Sequence, residues 1–407
     1  MVAQSLMSRL KINLRVKTCG SRGLKRCVAL CLWSLGFIPP VVTAQTPQAC
    51  IRAEAQLKIA VDAETRGDWP VALTNYREAT KLAPACAEAF VNLGVIYNRL
   101  GQPEQAIEAF KQSVALKPQM AAAHLNLGVT YFRAARYELA AGALNQAVKL
   151  EPRNLQAHQL LALTLIARER FEEAAAELEI SVALNPDDTA SLAALGETYL
   201  RLKQYKKAVP HLERSIRLQP DGGAAKARLR LGEALDNAGE SERAVEELRR
   251  AIAIDPKLPE AHYALGYALL KRGNLDEAAL LFAEELQLNP GMQMARYQLG
   301  NVYFQRGRTD EAVALLQKVL EAEPNFRPAL ETLGQALLKQ GAAVEAVRVL
   351  EHAVKLDATW PQAFALLGRA YMLAGRRADA QQAFATARKL SERERKNLED
   401  KMSKPKN

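Results

Sequence analysis

The sequence predicts an all-α protein, an α-solenoid of about ten helix-turn-helix units, and three regularities carry that prediction. Pro84, Pro118, Pro152, Pro186, Pro220, Pro256, Pro290 and Pro324 recur at intervals of 34 residues, save one of 36. Ten residues after each proline stands a small residue: Gly94, Gly128, Ala162, Gly196, Gly266, Gly300 and Gly334, with Gly232 twelve on. The same register reaches Ala60 before the series and Gly368 after it. Twelve residues beyond the small one comes an alanine in all ten units: Ala72, Ala106, Ala140, Ala174, Ala208, Ala244, Ala278, Ala312, Ala346 and Ala380.

The residue types explain the register. Each unit holds two apolar-periodic stretches of about 12–14 residues, roughly four helical turns apiece. In the second unit Phe90, Leu93, Gly94 and Tyr97 share one face of the first helix, A. Ala106, Phe110 and Ser113 share one face of the second, B. Helix axes approach to about 8–10 Å only as the side chains at the crossing allow. Small residues at 94 and 106 let the pair nest, with Leu93, Tyr97 and Phe110 filling the flanks. Gly67, Gly101, Gly239, Gly273, Gly307, Gly341 and Gly375 stand at the turn between helices, where a left-handed backbone is easiest for glycine. The closing proline stops helix B by withholding its N–H. Neither helix buries its apolar stripe alone, so each pair must stack on the next, predicting one continuous array.

This pattern resembles the tetratricopeptide repeat, a helix-turn-helix of about 34 residues. The resemblance covers residues 53–394, as repeats 53–86, 87–120, 121–154, 155–188, 189–222, 225–258, 259–292, 293–326, 327–360 and 361–394. It implies a right-handed superhelix whose A helices line a concave face and supply ligand contacts from their inward positions. Repeat four departs from the pattern at Ala162, Leu165 and Glu169. The last two repeats end in Ala358 and Glu392 rather than proline, and Asp221-Gly222-Gly223 lengthens one turn by two residues. Ser391 and Glu394 have the spacing of a capping box, predicting a short charged helix within 391–407 that covers the last apolar face.

The formal charge of +10 sits at the ends of the chain. Residues 1–44 carry seven basic side chains and no acid, and the last twenty carry eight basic and four acidic. Residues 45–387 keep 40 basic against 41 acidic, so no electrostatic footprint for nucleic acid is expected. The basic start is followed by CVALCLWSLGFI, Pro39-Pro40 and VVTA. That order predicts an export signal over 1–44, cleaved before Gln45, with Val42 and Ala44 at the small-residue positions. The apolar core is shorter than the roughly 20 residues of a spanning helix, so a membrane is met only if this segment is retained. A lead, 45–52, precedes the repeats. Cys50 and Cys86 remain in the mature chain, and an oxidising compartment such as the periplasm or the extracellular space lets them pair; two free thiols are the alternative.

No Gly-rich phosphate loop, H-E-x-x-H, G-x-S-x-G or mature C-x-x-C is present, so a non-catalytic protein without cofactor or metal is expected. His124, His158 and His262 occupy one helix-A position in separate repeats. Packed helix pairs hold such positions about 10 Å apart, too far to share a zinc, and the three are expected to pack in place of an aromatic residue. Asn92 and Asn126, one repeat apart, with Gln298 as a third, resemble the asparagine ladder of the O-linked N-acetylglucosamine transferase superhelix. That likeness implies amides gripping an extended peptide backbone. A second candidate is aromatic: Tyr263, Tyr267, Tyr297 and Phe304, with Asn301 among them and Phe132 standing apart. Tyrosine is enriched in binding hot spots. The Lys and Asn combination of the chaperone-type carboxylate clamp occurs in no repeat. These features predict an exported scaffold or adaptor whose concave groove holds a protein or peptide segment. A structural subunit of an envelope, secretion or polysaccharide-export complex is one alternative. A substrate-presenting partner of a glycosyltransferase or protease is another.

Overall fold

The computed structural model describes residues 48–219 and 224–402. The expected export signal over 1–44 and the insertion at Asp221–Gly223 lie outside the described residues. The chain divides into two compact units, Met1–Ala238 and Gly239–Asn407.

In the first unit a 3-10 helix, Gln48–Ala53, leads into eleven α-helices. They are α1 (Glu54–Thr65), α2 (Trp69–Leu82), α3 (Ala87–Arg99), α4 (Pro103–Leu116), α5 (Ala121–Arg133) and α6 (Tyr137–Leu150). The unit continues with α7 (Leu155–Ala167), α8 (Phe171–Leu184), α9 (Thr189–Arg201), α10 (Tyr205–Leu218) and α11 (Ala224–Ala238). The second unit opens with α12 (Ser241–Ile254), α13 (Ala261–Lys271), α14 (Leu275–Leu288), α15 (Gln293–Gln305) and α16 (Thr309–Ala322). It ends with α17 (Arg327–Gln340), α18 (Ala343–Leu356), α19 (Pro361–Leu373) and α20 (Arg377–Met402). Within each unit consecutive helices pack as hairpins and each hairpin packs on the next. Each unit is therefore a tetratricopeptide-like α-solenoid, and no strand occurs among the described residues.

The small residue of helix A receives a side chain from helix B. A methyl group on Gly94 would meet Phe110 Cε1 at 2.5 Å, one on Gly128 the Leu144 Cγ at 2.6 Å, and one on Gly334 the Leu350 Cδ2 at 2.5 Å. Phe110 thus sits on Gly94 itself rather than filling a flank. The residue that seats there stands four places after the repeat alanine, one helical turn further along the same face. All ten alanines of the series are wholly buried.

Every turn glycine adopts a positive φ, between 70° and 90°. Repeats three, four and five hold the same turn with Ala135 at φ 56°, Glu169 at φ 61° and Lys203 at φ 56°. Helix B ends two residues before its proline, and the residue between leaves the helical region, as Ala83 does with φ −132° and ψ 71° and Lys117 with φ −140° and ψ 80°. Steric contact with the proline ring drives the preceding residue out of the helical region, a stronger stop than the missing N–H alone. Asp357 takes the same conformation without a proline, φ −143° and ψ 98°. Its carboxylate accepts from Thr359 N at 2.8 Å, so a local turn replaces the ring.

In three repeats a tyrosine three residues after the helix-A small residue ties its hairpin to the one before. Arg77 Nε donates to Tyr97 Oη at 2.9 Å, Tyr199 donates to Glu179, and Tyr371 donates to Glu351 Oε1 at 2.8 Å. Along the turn edge the start of one helix B pairs with the next turn, as in Glu104–Arg136 at 2.6 Å and Glu242–Arg272 at 3.5 Å. These pairs are half-exposed and contribute roughly 0–1 kcal/mol each. At the N-terminus the structure joins Cys50 to Cys86, fastening the 3-10 helix against Ala79, Ala83 and Ala89. At the other end α20 runs unbroken from Arg377 to Met402. Ser391 therefore lies inside a helix, with no glycine or proline upstream in α20 to interrupt it, and opens no separate capping helix.

Candidate functional site

In the second unit three A helices bring chemistry to one surface. Residues four apart share a helical face, and two such positions recur through α13, α15 and α17. The position three before the small residue carries Tyr263, Tyr297 and Glu331. The position one after it carries Tyr267, Asn301 and Gln335. Tyr263 and Tyr267 stack with centroids 6.1 Å apart, and Tyr263 also leans on Phe282 at 5.8 Å. Tyr297 meets Phe326 edge-on at 5.3 Å. Tyr267 is 39 % exposed, while Tyr263, Tyr297, Asn301 and Gln335 are half-buried.

Hydrogen bonds link the Tyr263 hydroxyl to Gln298 and the Tyr297 hydroxyl to Thr332, each on the following A helix. Burial, with a smaller contribution from Tyr267, pushes the Tyr263 phenol up to about 12. Burial also raises Tyr297, helped by the negative charge of Glu331. Both rings stay neutral near pH 7 and present a hydroxyl and a π-face. Asn301 Oδ1 accepts from Gln305 Nε2 at 3.3 Å, and Lys339 Nζ lies 5.6 Å from the centre of the Phe304 ring. Beside Tyr297 opens a cavity of about 410 Å³. Tyr297, Arg327, Pro328, Glu331, Thr332, Gln335 and Trp360 line it.

The first unit corrects part of the sequence reading. Asn92 and Asn126 are 5 % and 3 % exposed, at the seam between helices rather than on an open face. Asn126 Nδ2 donates to Ala122 O at 2.8 Å within its own helix. Gln298, in the same register, is also buried and serves Tyr263. These three amides stand two residues before the small residue, and one residue along a helix turns a side chain by about 100° away from the open face. Phe132 is 2 % exposed and packs edge-on against Tyr137 at 5.4 Å, so it belongs to the core and not to a binding surface. Gln335, which sequence reasoning passed over, repeats Asn301 at an interval of 34 residues.

The histidines do more than pack. His124 Nε2 donates to Pro118 O at 2.9 Å and His158 Nε2 to Pro152 O at 3.0 Å. Arg296, at the same position, donates to Pro290 O. In these three repeats the side chain at this position closes the carbonyl of the proline six residues earlier. His158 Nδ1 additionally meets Glu177 Oε2 at 2.6 Å. Among the described residues Cys50, Cys86 and Glu88 bring metal-type ligand atoms within 4.8 Å of one another. The bridge engages both sulfurs, and Lys117 Nζ pairs with Glu88 Oε1 at 3.0 Å.

Stacked hairpins in this register, a left-handed turn inside each and a small residue at every crossing, define a tetratricopeptide-repeat protein. The family described as Cilia and flagella-associated protein 70 C-terminal domain matches residues 40–261, more than half of the 407-residue chain, and the chain belongs to it. Two tetratricopeptide-repeat families match residues 247–279 and 269–336. No curated protein matches the chain. Among solved structures it is similar to YrrB, described as a TPR protein with an unusual peptide-binding site, at 21 % identity and TM-score 0.42. That match covers 46 % of this chain and 96 % of YrrB. It is also similar to PilF of Pseudomonas aeruginosa, at 19 % identity over 52 % of this chain and 95 % of that one, TM-score 0.43. MamA from Desulfovibrio magneticus RS-1 matches at 22 % identity over 44 % of this chain and 99 % of its own, TM-score 0.40.

Proposed function

We propose that this chain is an exported, non-catalytic scaffold that holds a polypeptide segment of a partner protein against the A helices of its second unit. The observation that carries the reading is the row of Tyr267, Asn301 and Gln335, the first exposed and the other two half-buried, at one position of successive A helices. A carboxamide donates and accepts at once, matching a peptide group. Neighbouring A helices stand roughly 10 Å apart, about three residues of an extended chain. Two amides at that spacing grip the backbone and leave most ligand side chains unread, while the tyrosines supply apolar contact at small entropic cost. Export is supported by the Cys50–Cys86 bridge, since disulfides persist in oxidising compartments. No helix among the described residues is long and apolar enough to cross a membrane.

A pull-down from the native host with the full chain tests the reading. Tyr267→Ala combined with Asn301→Ala, both at positions that contribute little to the core, is expected to lose the partner with the fold intact. Unchanged recovery would move recognition away from this face. Sequencing the mature N-terminus tests export: a start at Gln45 is expected, and an intact Met1 in the cell interior would contradict it.

A further inference from the structure

Resting on the reading of that face as a polypeptide site, we propose that the cavity beside Tyr297 takes a basic side chain, lysine or arginine, of the bound segment. The cavity of about 410 Å³ lies at the small end of ligand pockets, with room for one long side chain. Two of its lining residues are aromatic. Tyr297 closes one side, and Trp360 closes another, with the rest of the indole packed on Leu330, Ala353 and Ala363.

The charges of the lining decide the ligand. Arg327 is already balanced: its guanidinium lies 4.4 Å over the Trp360 ring, and Nη1 pairs with Asp357 Oδ2 at 3.0 Å. Asp357 stays ionised, held below the usual carboxylate range by the Thr359 hydrogen bonds and, to a smaller degree, by Arg327. Glu331 is not balanced. Among the described residues no cation pairs with it, and its one hydrogen bond comes from Gln335 Nε2 at 3.4 Å. One uncompensated negative charge thus faces a cavity lined in part by aromatic rings.

An ammonium or guanidinium entering there gains a charge-assisted bond to Glu331 and a cation–π contact with Tyr297. A carboxylate would meet Glu331 head-on. An aliphatic side chain would cover Glu331 and Gln335 without pairing either, which carries a desolvation cost. The backbone carbonyls of the segment would meanwhile lie toward Gln335 and Asn301, so one basic residue fixes the register of an otherwise sequence-tolerant grip.

Trp360 gives the test its signal. The full chain, titrated with N-acetyl-arginine amide and N-acetyl-lysine amide, is expected to show a saturable change in tryptophan fluorescence. N-acetyl-norleucine amide and N-acetyl-glutamate amide are expected to give none. Glu331→Gln should weaken the two basic probes about tenfold or more, the scale of a lost charge-assisted bond. Glu331→Lys should abolish their binding and admit the glutamate probe. Trp360→Phe confirms the source of the signal, and circular dichroism confirms that each variant folds. Equal binding of the norleucine probe, or a Glu331→Gln affinity equal to the parent's, would overturn the proposal. Basic probes that bind through Glu331 while the pull-down finds no role for Tyr267 would sustain this pocket and sink the wider reading of the face.

Discussion

The turn between the two helices of a repeat offers a stability test in which one exchange is run in opposite directions. At Ala135 the backbone holds φ 56°, and at Gly101, one repeat earlier in the same register, φ 70°. A left-handed conformation costs an L-residue roughly 1–2 kcal/mol. Glycine avoids that cost but has more freedom to lose on folding, worth about 0.5–1 kcal/mol. The difference predicts that Ala135→Gly stabilises by about 0.5–1 kcal/mol and that Gly101→Ala destabilises by about the same. No atom lies within 4 Å of a methyl group placed on Gly101, so packing does not contribute. Glu169→Gly and Lys203→Gly repeat the test at φ 61° and φ 56°, and the three substitutions together should gain about 1.5–3 kcal/mol. Urea unfolding of the full chain, followed by far-ultraviolet circular dichroism, reads the shifts. A lower midpoint for Ala135→Gly, or a higher one for Gly101→Ala, would refute the argument.

The helix crossing, the bridge and the tyrosine straps give further predictions. Gly94→Ala sets a methyl group 2.5 Å from the Phe110 ring and should cost about 1–3 kcal/mol, whereas Gly300→Ala, 3.1 Å from Leu316, should stay near neutral because alanine also favours the helix. Thermal melts of the two variants decide, and equal losses would contradict the seating of helix B on helix A. Cys86→Ser opens a loop of sequence separation 36. Chain entropy predicts a loss of about 4 kcal/mol at the N-terminal repeat, read as faster amide exchange in α1 and α2, and unchanged exchange would refute it. Burial and the Glu179 bond push Tyr199 up to about 12, and burial and the Glu351 bond do the same for Tyr371, from an ordinary 10.0. A phenol raised in the folded state binds its proton more tightly there. Its contribution is complete below pH 10 and is lost as pH climbs from 10 through 12. The urea midpoint should therefore hold steady to about pH 10 and then fall, with a shallower fall in Tyr199→Phe.

The paired helices were legible because the pattern rests on residue types with one physical use each: proline after helix B, glycine at the left-handed turn, a small residue where a side chain from helix B must seat. The three turns without glycine were not legible, since Ala135, Glu169 and Lys203 carry no local sign of a positive φ and are held there by the hairpins on either side. The geometry of the candidate site was legible in part. Tyr263, Tyr267, Tyr297 and Asn301 come together, because side chains at fixed positions of successive A helices share a face. Asn92 and Asn126 misled because they sit one residue off that face. Gln335 was within reach by following Asn301 onward at 34-residue steps. The cavity at Arg327 and Trp360 was not, because it is made where two helices begin, by residues outside the repeat signature.

Site-specific photo-crosslinking tests the central claim most directly. A benzophenone amino acid replaces Tyr267 on α13 in one experiment and the exposed Leu280 on α14 in another, both in the full chain in its native host. If the A-helix face of the second unit holds a polypeptide, the probe at 267 forms a discrete crosslink to a protein partner, lost on Glu331→Lys, and the probe at 280 forms none. A partner captured equally from 280, or from 280 alone, would contradict the account.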